Sequence, residues 1–211
     1  MSFSFIDSPF SERTAYEAYL ELPAAARPAA LQKAQAAQPA PATASILKCA
    51  MLPDALEKRD GTRIGQEALA GKIVVLFFSS AWCPACKVFC PILKTLYEDS
   101  KEGENPLEVV YVSSDKDAAM KDSYMQLSHG DWLSVPYDNK VARDGLKMKY
   151  GCFAGAEASG FRGIKRRAGI PSIVIISPAG AELVHMDCDP PTAIMRKGDA
   201  ILDEWGVHKW P

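Results

Sequence analysis

The chain has 211 residues, with 24 lysines and arginines against 26 aspartates and glutamates, and 48% hydrophobic side chains. That suffices to bury one good core and carry an appendage. A net charge of −2 gives no global field to attract polyanions, so neither nucleic acid nor an anionic membrane is expected as a partner.

The opening "MSFSFIDSPFSERTAYEAYLEL" has no basic region leading into an apolar core, and it carries Asp7, Glu12, Glu17 and Glu21. This composition is that of neither a secretory nor a mitochondrial leader, and no apolar run of about 18 residues follows, so a soluble, cytoplasmic protein is expected. Ser11 to Leu22 reads as a short helix capped by Ser11. From Pro23 to Ala44 the residues are largely Ala, Pro and Gln, too poor in apolar bulk to offset the entropy of ordering, and this stretch reads as a tether. The domain boundary is placed at residue 45, with residues 1–45 an extension and 46–211 the folded domain.

"ALEKRDGTRIG" carries an Asp60-Gly61 turn between short runs and predicts a hairpin. "KIVVLFF", Lys72 to Phe78, is a continuous β-branched run suited to a strand covered on both faces. Pro84 to Tyr97 has apolar residues at 88, 89, 92, 93 and 96, a helical spacing that tolerates Pro84 in its first turn. "LEVVYVSS" is the next strand, "DKDAAMKDSYMQLSHG" a helix, "WLSVPYD" a short extended piece and Asn139 to Tyr150 a helix. Residues Gly151 to Arg167 show no periodicity. "IPSIVIISPAGAEL" predicts two strands joined by a Pro178-Ala179-Gly180 turn, and one helix from Thr192 to Trp205 closes the chain. Alternating strands and helices imply an α/β fold with a mixed sheet.

Between the first long strand and its helix stands "SSAWCPACKVFCPIL", with three of the six cysteines within eight positions. Six cysteines are too few for a disulfide scaffold, and a close pair reads as catalytic or metal-binding. Cys83 falls at the helix cap, where free backbone N–H groups and the helix dipole favour a thiolate. It would attack a disulfide, and Cys86, one turn on, would resolve the mixed disulfide. In an intact helix residues four apart have Cβ atoms about 5–6 Å apart, against about 3.5–4.5 Å in a disulfide, so Cys86 and Cys90 should not bridge. Cys90, Cys49, Cys152 and Cys188 read as small core residues. Pro171, ahead of a β-branched strand, is a candidate cis proline.

Taken in order, "GKIVVLFFSSAWCPACKVFCPIL", "VVYVSSDKDAAM", "DWLSVPYDN" and "GIPSIVIISPAG" resemble the nucleoredoxin/tryparedoxin branch of the thioredoxin superfamily. The resemblance, over about Leu56 to Leu183, implies a thioredoxin-like fold and thiol-disulfide oxidoreductase activity without a cofactor. It implies Cys83 as nucleophile, Cys86 as resolving thiol and Pro171 as the cis proline beside them. Trp82 and Pro84 would flank the site, and Ile170 would offer backbone to a bound substrate. Asp115 matches an acidic position at the rim, where a helix N-cap explains it equally well. The implied partners are a low-molecular-weight dithiol or a reductase as donor and disulfide proteins such as peroxidases as acceptors. The chain departs from the family in having Pro84-Ala85 rather than two prolines, Cys90 where a threonine is usual, and an insertion over 152–168. Arg162, Lys165, Arg166 and Arg167 in that insertion read either as a solvated loop or as cations steering an anionic substrate.

Two rivals stand beside this reading. "CKVFCP" matches a CxxxCP pattern of copper-delivery proteins on the same scaffold, with His185 as the distant ligand they require; or the scaffold serves only as an interaction module.

Overall fold

The computed structural model describes residues 48–211; the helix expected from Ser11 to Leu22, the Ala/Pro-rich stretch and the boundary at residue 45 lie outside the described residues. Ala55–Glu57 (β1) and Arg63–Gly65 (β2) form the expected hairpin, antiparallel with Leu56 opposite Ile64. Its turn is closed by the Asp60 carboxylate, which accepts the Thr62 N–H at 2.8 Å, and by Gly61 at φ +84°, where a side chain would be strained. Then come Ile73–Ser79 (β3), Pro84–Ser100 (α1), Leu107–Ser113 (β4), Ala118–Ser128 (α2), Leu133–Ser134 (β5) and Lys140–Tyr150 (α3). Ser172–Ile176 (β6), Glu182–Asp187 (β7), Thr192–Lys197 (α4) and Ala200–Gly206 (α5) complete the domain.

The strands make one sheet in the order β2-β1-β5-β4-β3-β6-β7. β3 pairs parallel with β4 and antiparallel with β6, so it lies inside the sheet and every one of its residues is buried. A strand covered on both faces has no reason to alternate, which is why its sequence is an unbroken apolar run. Ile73, Val75 and Phe77 cluster with Phe89, Leu93 and Leu96 of α1 and Trp205 of α5. Val74, Leu76 and Phe78 cluster with Leu146 and Tyr150 of α3 and with Trp210. The period of two therefore distributes one strand between two cores, and the mixed sheet flanked by helices is the architecture expected.

Local signals set the helix ends. Asp117 caps α2 by accepting the Met120 N–H at 2.8 Å, and Asn139 caps α3 through the Ala142 N–H at 3.0 Å. The closing segment differs from expectation: it is two helices rather than one, broken at Gly198, whose φ of +50° and ψ of −138° leave the helical region. Glycine alone takes that conformation at low cost, and it turns the chain while Ile194, Ile201, Leu202 and Trp205 all still reach the core.

The insertion is likewise no free loop. Cys152 and Ala168 form an isolated parallel bridge at its base, a 3-10 turn spans Gly155–Gly160, and the Phe153 and Phe161 rings pack 4.8 Å apart. Two of its four cations are structural ties. Arg167 holds both carboxylate oxygens of Glu182, at 2.5 and 2.8 Å, and Arg166 Nε donates to the Phe153 carbonyl at 2.8 Å. Arg162 and Lys165 are exposed.

Candidate active site

Parallel pairing of β3 with β4 brings their C-terminal ends to one edge of the sheet, and the turn from β3 into α1 lies there. Cys83 is the N-cap of α1, in extended conformation, with Pro84 at the first helical position where its missing N–H costs nothing. The Cys86 N–H donates to Cys83 Sγ at 3.2 Å, an orphan amide of the helix start satisfied by sulfur. Cys83 is 6% exposed and Cys86 not at all. Burial above all, and then the hydrogen bond with Cys83, push the Cys86 thiol well above the ordinary thiol range.

The second half of the chain reaches the same place through β6. Phe78 pairs with Ser172, and this register sets the preceding Ile170–Pro171 peptide, which is cis, beside the helix start. The Ile170 carbonyl oxygen lies 3.5 Å from Cys83 Sγ, across 87 residues of sequence. Trp82, 37% exposed, flanks the pair with its indole N–H donated to the Ser114 carbonyl at 2.9 Å. A second cis peptide, Asp189–Pro190, follows β7 and carried no sequence signal.

With this geometry, a family model described as thioredoxin-like matches residues 71–182. The chain belongs to the thioredoxin-like family. Within that family it falls in the nucleoredoxin/tryparedoxin-like branch. It is 30% identical to probable nucleoredoxin 1 of Arabidopsis thaliana over 123 residues, 58% of this chain and 18% of that protein. Among solved structures, tryparedoxin from Trypanosoma brucei superposes with a TM-score of 0.55 at 26% identity, covering 74% of this chain and 94% of that one. Tryparedoxin II complexed with glutathionylspermidine does so with a TM-score of 0.51 at 25% identity, over 70% and 89% of the two chains. The matched segment spans only 18% to 25% of the first curated nucleoredoxins' own length.

In this thioredoxin-like domain Asp115 is not the helix cap. The cap is Asp117, and Asp115 lies buried under the dithiol turn. One of its oxygens accepts Ser80 Oγ and the Ala81 N–H, each at 2.8 Å; the other accepts the Tyr111 hydroxyl and, at 2.8 Å, Ser113 Oγ. Four donors around a carboxylate fix the turn that carries Trp82 and Cys83.

Cys90 belongs to the core cluster that holds Phe77 and Phe89, with Sγ 3.5 Å from the Ser128 carbonyl, and burial pushes its thiol up to about 12. His185, the ligand a copper site would need, sits with its Nε2 3.1 Å from Cys152 Sγ rather than beside Cys86 or Cys90. Among the described residues no group of three or more His, Cys, Asp or Glu is arranged to hold a metal ion.

Sequence reasoning overlooked the polar groups beneath the site. The Tyr124 hydroxyl donates to the Cys86 carbonyl at 3.2 Å. His129, wholly buried, packs at ring distances of 4.5 and 4.4 Å from Tyr111 and Tyr124 and accepts the Trp132 indole N–H at 3.1 Å. Burial lowers its pKa to about 3, so the ring is neutral. These contacts join β4, α2 and the segment after it, and a short sequence window holds no trace of them.

Proposed function

We propose that this chain is a thiol-disulfide oxidoreductase that reduces protein disulfides through Cys83 and Cys86. The observation that carries the reading is the setting of Cys83 Sγ, which meets the Cys86 amide in the first turn of a helix on one side and the carbonyl before a cis proline on the other. A thiolate at Cys83 accepts the Cys86 N–H and lies at the positive end of α1. It attacks one sulfur of a substrate disulfide; that S–S bond breaks, the far sulfur leaves and takes up a proton, and a mixed disulfide remains on Cys83. Cys86 then loses its proton and attacks Cys83 Sγ, releasing the second substrate thiol and leaving a Cys83–Cys86 disulfide. Two electrons and two protons pass to the substrate, and sulfur carries them without a cofactor.

Access orders the two steps. Of the two thiols only Cys83 keeps any exposure, 6%, and the fully buried, proton-holding Cys86 reacts from within. Trp82, Pro84 and the backbone of Ile170 supply the surface on which the substrate chain rests. A low-molecular-weight dithiol or a reductase restores the dithiol, and peroxidases of the disulfide-forming kind are suitable acceptors. A glutathione-polyamine conjugate is the donor suggested by the glutathionylspermidine complex of the related tryparedoxin II. No helix among the described residues is long and apolar enough to cross a membrane, and a cytoplasmic setting, with its reduced thiol pool, suits the chemistry.

The test is reduction of insulin disulfides by the native chain and by Cys83→Ser with dithiothreitol as donor. Activity in the native chain and none above background in the variant is the expected outcome. Equal rates in the two would overturn the reading and favour an interaction module.

A further inference from the structure

Glu157 of the insertion over 152–168 reaches Ser114, the residue that follows β4 and whose carbonyl the Trp82 indole touches. Glu157, on the 3-10 turn Gly155–Gly160, accepts Lys147 Nζ of α3 on one oxygen at 2.5 Å; its other oxygen accepts Ser114 Oγ at 2.7 Å and the Ala154 N–H at 3.0 Å. Lys147 is buried to within 1%, and Glu157 is its only carboxylate partner among the described residues. A buried ammonium of this kind demands its counter-ion, so the lysine holds the glutamate in place. Ser114 in turn gives its carbonyl to the Trp82 indole. The chain of contacts thus runs Lys147, Glu157, Ser114, Trp82, and Trp82 adjoins Cys83. The residues on either side of Ser114 are held by Arg143, whose guanidinium lies 3.5 Å from the Ser113 carbonyl, and by the Tyr137 hydroxyl on the Asp115 carbonyl at 3.0 Å. The Ser114 N–H itself donates to the Ser79 carbonyl at 2.9 Å, so these contacts hold the backbone, and Glu157 is the partner of the Ser114 side chain.

We propose that Glu157 is a positioning residue for the dithiol site: carried in by the insertion, it fixes Ser114 and through it the orientation of Trp82 beside Cys83. This rests on the oxidoreductase reading for its consequence in catalysis, and on geometry alone for its effect on Trp82. The insertion is accordingly part of the frame of the site, and it sets how a substrate disulfide seats against the indole.

The experiment uses the full chain. Glu157→Leu combined with Lys147→Met replaces the buried pair with apolar side chains of similar volume, an exchange folds commonly tolerate. Glu157→Gln combined with Lys147→Met removes the charges but keeps an acceptor for Ser114 Oγ, and Ser114→Ala removes only the hydroxyl. Of the four tryptophans, Trp132, Trp205 and Trp210 are buried and Trp82 alone is exposed, so acrylamide quenching of fluorescence reads Trp82. Loss of the Ser114 bond should raise the quenching constant about twofold and lower kcat/KM for insulin reduction about fivefold, mostly through KM, in the Leu/Met and Ser114→Ala proteins, with the Gln/Met protein close to native. Folded Leu/Met and Ser114→Ala proteins with native quenching would overturn the proposal whatever their activity. A native chain that reduces no disulfide would overturn the oxidoreductase reading instead, and the quenching data would still decide what Glu157 does.

Discussion

Lowering the pH from 7.5 to 4.5 should cost the domain about 2–3 kcal/mol of stability through His129 alone. The ring is wholly buried among Phe77, Tyr111, Tyr124 and Trp132, with its Nδ1 occupied by the Trp132 indole and its pKa lowered from 6.5 to about 3, chiefly by burial and then by Arg59 and Lys121. Between those two values the unfolded chain binds a proton that the folded chain refuses. Stability therefore rises with pH across that window and falls as the solution is acidified, by about 1.4 kcal/mol per pH unit at the steepest. Over two full units below 6.5 this gives the figure quoted. Glu108 titrates in the opposite sense, since burial raises its carboxyl and its contribution fades as pH rises. It is common to the native chain and a His129→Gln variant and cancels in their difference. Urea unfolding of both proteins, reduced, at pH 7.5, 6.5, 5.5 and 4.5 measures that difference directly. The native chain should lose its advantage over His129→Gln, or deepen its deficit, progressively below pH 6.5. A difference that stays constant from pH 7.5 to 4.5 would show that His129 is charged, or exposed, in the folded state.

Two further outcomes follow from the site. Cys90, with its thiol pushed up to about 12 by burial, should resist iodoacetamide in the native chain at pH 8, and Cys90→Ala should keep disulfide reduction within about twofold while costing about 1 kcal/mol in urea unfolding; a tenfold loss of activity would assign it a redox role. Asp115→Ala strands the Ser80, Ala81, Tyr111 and Ser113 donors and should cost about 2–4 kcal/mol, read as a fall in the urea midpoint, whereas a loss under 0.5 kcal/mol would contradict the role of Asp115 under the dithiol turn.

What could be read from sequence was whatever depends on neighbours along the chain. The continuous run at Ile73–Ser79, the proline and cysteine that open α1, and the Asp60-Gly61 turn each carry their reason within a few residues. Gly198 shows the limit of that view: the apolar spacing from Ile194 to Trp205 is helical throughout, and nothing in the spacing says that the glycine takes a positive φ and divides the segment. The helix cap was open between Asp115 and Asp117 for a related reason, since a cap at 117 and a buried acceptor at 115 differ only in where strand β4 ends. The remainder depends on distance in space. Glu157 and Ser114 are 43 residues apart, Tyr124 and Cys86 are 38 apart, and a buried lysine such as Lys147 looks in sequence like any surface cation of an amphipathic helix. The insertion read as a loop because its ties, among Cys152, Phe153, Phe161, Arg166 and Ala168 within it and to Lys147, Ser114 and Glu182 outside it, follow no short period.

The measurement that bears most directly on the dithiol relay is a trapping experiment. Cys86→Ser, fully reduced and mixed with a protein disulfide, should accumulate one mixed disulfide, which peptide mass spectrometry should place on Cys83, while the native chain under the same conditions ends with a Cys83–Cys86 bond. An adduct on Cys90, Cys49, Cys152 or Cys188, or no adduct at all with Cys83 still a thiol, would contradict it.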